Sequence, residues 1–188
     1  MDTKAFREGF RDGIPIGLGY LAVSFSLGIS AKQAGLTPLQ GFVTSFLENA
    51  SAGEYIAFTL IGAGATYIEL CLMTIIANAR YLLMSCAMSQ RFSPDTPMIH
   101  RFLVAFDLTD ELFGIAIGRP GYLNPYYSYG AFLVALPGWS IGTAAGVIAG
   151  NLLPGDMVKA LSVSLFGMFL AILSLIHISE PTRRRGIS

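Results

Sequence analysis

Polar and charged side chains interrupt the apolar stretches of this sequence at four places. A charge near the centre of a bilayer costs about 2.5–3.5 kcal/mol on insertion scales, so such residues mark binding sites or ion paths if the surrounding stretches lie in a membrane. The four groups are Glu48, Asn49, Ser51 and Glu54 in "SFLENASAGEY"; Asn78 and Arg80 in "IIANARYLLM"; Glu69; and Asp107, Asp110 and Glu111 in "FDLTDELFG".

The fourth group predicts proton chemistry. Spacings of three and four place Asp107, Asp110 and Glu111 on one face of a continuous helix. Like charges and desolvation both favour the protonated form of a carboxyl group, so one of the three could carry a proton. Arg80 is expected to pair with some of these carboxylates. The alternatives are that the trio meets water at a cytoplasmic helix end and that Arg80 forms a purely structural ion pair.

Enzyme chemistry finds little support. The sequence has no G-x-S-x-G or H-E-x-x-H motif, and Ser51 has no histidine nearby to activate it. Cys71 and Cys86 lie in apolar runs without metal-ligand spacing, and we expect both to be free thiols within the membrane. No metal, cofactor or catalytic residue is therefore predicted.

The composition is that of a membrane protein. Of 188 residues, 53% are hydrophobic and 13% are charged, whereas soluble domains have about 25% charged residues. The fold class is predicted to be all-α, a polytopic helical membrane protein. A net charge of zero gives no support for nucleic-acid binding. The first apolar stretch follows Lys4, Arg7 and Arg11 without a clear cleavage site, so we expect a retained first span with a cytoplasmic N-terminus.

The C-terminal residues resemble something other than protein. "LSLIHISEPTR", residues 173–183, resembles the translation of an adaptor used in sequencing libraries. We therefore expect residues 1–172 to be a truncated transmembrane transporter domain and residues 173–188 to be a non-native tail. The alternative is a genuine basic cytoplasmic tail.

Two stretches, 13–30 and 126–148, match the roughly 20 apolar residues of a membrane span. The segments 39–47 and 55–63 are each too short to cross alone. We expect a re-entrant hairpin that breaks at "ENASAG", followed by a crossing at 103–117. That topology puts six Lys and Arg residues inside and two outside, whereas a full crossing at 38–63 gives an even split. A simple interfacial loop is the alternative.

Glycine spacing predicts close helix packing. Glycines recur every fourth residue at 9, 13 and 17, and again at 138, 142, 146 and 150, which lines each helix face with small residues. A weak echo between "GLTPLQGFVTSFL" and "NLLPGDMVKALSVSLFGMF" leaves an inverted repeat open, an arrangement common in transporters.

The ordered motifs "ENASAGEY", "ANARYLLM", "FDLTDELFG" and "PGWSIGTAAGVIAGNLLP" resemble the AzlC family over residues 5–172. This family comprises the large subunits of bacterial branched-chain amino acid exporters. The resemblance implies export of valine, leucine or isoleucine across the bacterial inner (cytoplasmic) membrane, with a small AzlD-like membrane subunit as partner. "ENASAGEY" stands where the family usually has a "FAGASQ"-like patch.

Two sets of site residues follow, since a zwitterion needs a cation or helix N-terminus for its carboxylate and an acceptor for its ammonium. The substrate-binding candidates are Glu48, Asn49, Ser51, Glu54, Asn78 and Arg80. The candidates for coupling to protons or ions are Asp107, Asp110 and Glu111. Two other classes stay open: an ion or small-solute channel, and a non-transporting scaffold subunit.

Overall fold

The computed structural model describes residues 2–150, and every regular secondary-structure element in this part of the chain is an α-helix. The all-α prediction is confirmed. The helices are α1 (Thr3–Gln33), α2 (Pro38–Glu48), α3 (Ser51–Gly62), α4 (Tyr67–Ala77), α5 (Arg80–Ser89), α6 (Met98–Phe106), α7 (Asp110–Ile117) and α8 (Pro125–Ala149). Segment 157–172, the second half of the sequence echo and the tail 173–188 lie outside the described residues.

Local sequence sets most helix boundaries. The side chains of Asp2 and Asn124 accept backbone N–H groups at the starts of α1 and α8. Thr37 and Gln40 form a capping box at α2, where Pro38 is tolerated because it lies in the first turn. By length and composition α1 and α8 can each cross a membrane, and α4 with α5 forms a third candidate span bent by 49°.

Helices α1 and α8 pack closely along their whole length, and they run parallel. Gly9 lies against Tyr127, Gly17 against Gly138 and Gly28 against Gly146, so positions along both helices advance together. The backbones approach so closely that a side chain at these glycines would overlap the opposite helix. The packing predicted from the glycine spacing is confirmed.

Because α1 and α8 are parallel, both start at the same end of the bundle, here called the N-terminal end. Asn124 Nδ2 donates to Asp2 Oδ2 at 2.7 Å, and Arg119 Nη2 lies 2.5 Å from Glu8 Oε2. The opposite end, where α1 finishes, is called the distal end.

Helices α2 and α3 form hairpin 1, which enters from the distal end and returns to it. Gly41 near the start of α2 lies beside Val147 of α8, and Gly62 at the end of α3 lies against Ala34 at the end of α1. Between the helices, Asn49 is left-handed with a φ of 41°, and Ala50 is extended. Asn tolerates this conformation better than most residues, so the break falls at the polar patch, as predicted.

The bent α4–α5 segment then leads from the distal to the N-terminal end. There Met88 and Phe92 pack with Ala5 and Tyr127 in an apolar cluster. The adjoining loop is fixed by the Leu123 N–H, which donates to Arg91 O at 2.7 Å.

Helices α6 and α7 form hairpin 2, and here two predictions are wrong. Arg101 Nη1 in α6 donates to Ser89 O, and Arg119 after α7 pairs with Glu8, so both limbs reach the N-terminal end. The segment 103–117 therefore turns back and does not cross. Asp107, Asp110 and Glu111 do not share one helical face, because the helix stops at Asp107 and Thr109 is extended and caps α7.

Hairpin 2 places the positive charges differently from the topology predicted from sequence. Arg119 lies on the same side as Arg91, and Lys32 is at the distal end. Within residues 2–150, and leaving out Arg80 in the interior, the cations at the N-terminal end are Lys4, Arg7, Arg11, Arg91, Arg101 and Arg119. Lys159, which entered the charge count made from sequence, lies outside the described residues.

Candidate functional site

Three helix breaks meet beside the middle of α1 and α8. They are the tip of hairpin 1 at Asn49–Ala50, the bend of α4–α5 at Asn78–Ala79, and the tip of hairpin 2 at Asp107–Thr109. Each break frees backbone groups from the helical ladder and carries a polar side chain. Irregular backbone at membrane depth is tolerated where protein or a watery cavity surrounds it, which makes this junction the candidate site.

The two hairpin tips contact each other directly. Asn49 Nδ2 donates to Asp107 Oδ1, although the residues are 58 positions apart. Both side chains are buried, with 5% of Asn49 and 2% of Asp107 exposed. Within residues 2–150 the remaining oxygens, Asn49 Oδ1 and Asp107 Oδ2, have no hydrogen-bond partner. Each hairpin tip therefore carries one buried acceptor without a hydrogen-bond partner, and each such acceptor costs about 1–3 kcal/mol of stability.

Glu48 and Asn78 converge over Gly53 in the first turn of α3. A Cβ at Gly53 would overlap Glu48 Oε1 and Asn78 Nδ2 and would lie 2.7 Å from Asn78 Oδ1. Both of these oxygens are buried and lack partners within the described residues. Glycine is therefore required here, because only a residue without a Cβ lets both oxygens reach the tip of hairpin 1.

Arg80 supplies positive charge at the same junction. Its Nη1 lies 2.7 Å from Asp110 Oδ2, and about two fifths of each side chain is exposed. The guanidinium also lies 5.2 Å from the centre of the Tyr81 ring. The expected pairing of Arg80 with the acidic motif is thus present. An ion pair this exposed adds little stability, so it can exchange for another carboxylate.

The N-terminus of α3 is a second place for a carboxylate. Ser51 begins this helix, and the preceding Ala50 has no side-chain oxygen to cap it. The first N–H groups of a helix carry partial positive charge and bind anions when no cap occupies them.

Glu54, although predicted to bind substrate, is enclosed in a separate network between α2, α3 and α8. Ser45 Oγ donates to its Oε1, and Trp139 Nε1 donates to its Oε2 at 2.7 Å. Ser45 Oγ also lies 2.6 Å from Thr143 Oγ1. No part of Glu54 is exposed. Both of its carboxylate oxygens are already satisfied, so direct contact with a substrate would require breaking this network.

Glu111 is similarly engaged with α1. Tyr20 Oη donates to Glu111 Oε2 at 2.6 Å and lies 2.5 Å from Thr109 Oγ1. The Tyr20 ring in turn meets the edge of Trp139, with centroids 5.1 Å apart. Tyr20 and Trp139 were not among the site residues predicted from sequence. The feature that could have indicated them is that each is an aromatic residue with a polar group inside a predicted apolar span, and Trp139 is the single tryptophan.

Glu69 lies away from the junction. Its carboxylate accepts the Thr66 N–H at 2.9 Å in a capping box at the start of α4. This local role explains the carboxylate without any substrate.

A family model described as "AzlC protein" matches residues 15–153. This chain belongs to the AzlC family. An uncharacterized membrane protein of Archaeoglobus fulgidus is 29% identical, with 91% of this chain and 75% of that protein covered. The inner membrane protein YgaZ of Escherichia coli is 28% identical over 91% of this chain and 73% of its own. The branched-chain amino acid transport protein AzlC of Bacillus subtilis is 27% identical over 78% and 58%. No solved structure matches the chain.

Membership in this family makes the chain a membrane protein of a family that includes a branched-chain amino acid transport protein. The apolar outer surface agrees, since Leu18, Leu83 and Phe102 are each about two thirds exposed or more. Cys71 and Cys86 are also exposed on this surface, in helices whose outer faces would meet lipid.

Proposed function

We propose that this chain is the large subunit of a two-component exporter of branched-chain or other hydrophobic amino acids. The observation that carries the proposal is the meeting of two hairpin tips, which enter from opposite ends, around unpaired oxygens and a partly exposed arginine. A zwitterion needs both signs of partner in one place. Broken helices that meet near the midplane are how transporters build such sites.

Each end of the zwitterion has a partner at the junction. The substrate carboxylate exchanges with Asp110 for the guanidinium of Arg80, helped by the uncapped N-terminus of α3. The ammonium group is taken by buried acceptor oxygens at the junction that lack a partner among the described residues. Movement of hairpin 1 opens the site to the distal end, and movement of hairpin 2 opens it to the N-terminal end, so the two act as alternate gates.

The carboxylates of hairpin 2 supply the coupling in this proposal. When a substrate carboxylate displaces Asp110 from Arg80, the released carboxyl group lies in a partly dry site and favours taking up a proton. Glu111 accepts a hydrogen bond from Tyr20 and links this change to α1.

The proposed orientation of the chain in the membrane rests on the positions of its Lys and Arg residues. Six of the seven non-interior Lys and Arg residues within residues 2–150 lie at the N-terminal end, which supports a cytoplasmic N-terminus in the bacterial inner membrane. Hairpin 2 then faces the cytoplasm and would admit substrate for export. A small AzlD-like subunit is the proposed membrane partner.

The test is efflux from bacterial cells that lack their own valine exporters. The cells are loaded with a valine-containing dipeptide, and released valine is followed with and without this chain and the neighbouring small subunit. We expect saturable efflux that falls at least tenfold in Arg80→Ala but not in Arg7→Ala, an exposed cation outside the site. Efflux that rises linearly with internal valine would favour a channel. Loss of membrane-inserted protein in Arg80→Ala, in proportion to lost efflux, would favour a scaffold.

A further inference from the structure

We propose that the amino group of the substrate binds between Asn49 and Asp107, where the tips of hairpins 1 and 2 meet. This inference rests on the proposed function and deepens it. It transfers Asp107 from the coupling set to the substrate-binding set, and it separates Asp107 from Asp110 and Glu111.

Apart from Glu48, the other carboxylates near the junction are already engaged. Glu54 accepts from Ser45 and Trp139. In hairpin 2, Asp110 pairs with Arg80, and Glu111 accepts from Tyr20. Among the carboxylates within residues 2–150, only Asp107 and Glu48 keep a buried oxygen without a hydrogen-bond partner. Asp107 is the more buried of the two, with 2% exposed.

The geometry of the tip contact fixes what can bind. Asn49 uses its Nδ2 group to donate to Asp107 Oδ1, and this leaves an acceptor on each residue, Asn49 Oδ1 and Asp107 Oδ2. The two neighbouring orphan atoms over Gly53, Glu48 Oε1 and Asn78 Oδ1, are acceptors as well. The unpartnered side-chain atoms at the two tips and over Gly53 are thus acceptors, and two of them belong to carboxylates, Asp107 and Glu48, an arrangement that favours a cation with several donors. Asn78 Nδ2, a donor, also lies over Gly53.

An ammonium group meets these requirements. It carries three N–H donors, enough for Asp107 Oδ2, Asn49 Oδ1 and one of the oxygens over Gly53. Its charge also compensates Asp107, for which no Lys, Arg or His partner exists among the described residues. Because the two acceptors belong to different hairpins, an amino group bound here holds both gates through the same contact.

The experiment measures equilibrium binding to the full chain, co-purified with its small subunit in detergent. Three ligands isolate the groups: valine, 3-methylbutanoate without the amino group, and 2-methylpropylamine without the carboxylate. We expect Asp107→Asn to weaken valine binding roughly tenfold to hundredfold, the loss typical of a hydrogen bond to a charged group. Binding of 3-methylbutanoate should not weaken. Asp95→Asn, an exposed aspartate in the α5–α6 loop, is the matched control and should bind like wild type.

Asn49→Ala keeps the carboxylate and serves as a second variant if Asp107→Asn does not fold. Asn49→Ala should weaken the binding of valine several-fold and leave the binding of 3-methylbutanoate unchanged. The inference is overturned if the wild-type protein binds 3-methylbutanoate as tightly as valine, a result that needs no variant. Valine binding that sodium strengthens in the wild-type protein but not in Asp107→Asn, with unchanged valine affinity in the absence of sodium, would also overturn the inference, because it would assign the site to an inorganic cation. If the wild-type protein binds no amino acid at all, the proposed function fails as well.

Discussion

Removal of the Glu54 side chain should destabilise the protein more than any change to the exposed ion pair of Arg80. The substitution Glu54→Ala withdraws the acceptor from Trp139 Nε1 and from Ser45 Oγ. Ser45 retains Thr143 as a neighbour at 2.6 Å, but Trp139 keeps a buried N–H without an acceptor. The variant therefore creates one orphaned donor and one cavity in the seam between hairpin 1 and α8.

The magnitude follows from these two losses. An orphaned buried donor costs about 1–3 kcal/mol. The lost Cγ methylene group removes about 0.8 kcal/mol of burial. Together the destabilisation is about 2–4 kcal/mol, equivalent to a fall in melting temperature of roughly 4–16 °C for a chain of this size.

The assay is thermal unfolding in detergent, followed by the tryptophan fluorescence of the single Trp139 and by retention of the folded peak in size-exclusion chromatography. Glu54→Gln is the matched control, because the amide oxygen can still accept from Trp139 while the amide nitrogen donates toward Ser45. It should melt within about 3 °C of wild type, since both contacts are retained. A Glu54→Ala protein that melts like wild type would refute the enclosed network. Equal destabilisation by both variants would show that charge, and not hydrogen bonding, stabilises the seam.

Three further predictions concern packing, the site and topology. Gly28→Leu should abolish the folded peak, because its Cβ would overlap Thr143 O and would lie 2.8 Å from Gly146 Cα on α8. Gly19→Leu is the matched control and should fold normally, because a Cβ there meets no atom within 4 Å. Gly53→Ala should fold but reduce valine efflux about tenfold or more, because its methyl group displaces Glu48 Oε1 and Asn78 from the tip; wild-type efflux would contradict the site. With native cysteines replaced, Tyr122→Cys should react with a membrane-impermeant maleimide from the side of the N-terminus, and Ala63→Cys from the opposite side; labelling of both from one side would disprove hairpin 2.

The sequence alone determined the features that depend on neighbouring residues. Apolar stretches with few charges predicted membrane helices, and the four-residue glycine spacing predicted close helix packing, although not that α1 and α8 pack against each other. The polar patch at Asn49 marked the break in hairpin 1, because a left-handed residue and a missing cap are local properties of the chain. The ordered motifs also indicated the family.

Only the tertiary structure decided what depends on partners far apart in the chain. The helical pattern of 103–117 reads as one span, yet Thr109 prefers to cap a new helix, and the parallel packing of α1 and α8 requires the chain to turn back there. Glu54 was predicted from sequence to bind substrate, but in the structure its carboxylate accepts a hydrogen bond from Trp139, 85 residues away. Sequence periodicity fixes which side chains share a helix face, but which oxygens find partners and which are left for a ligand is set by how separate helices pack.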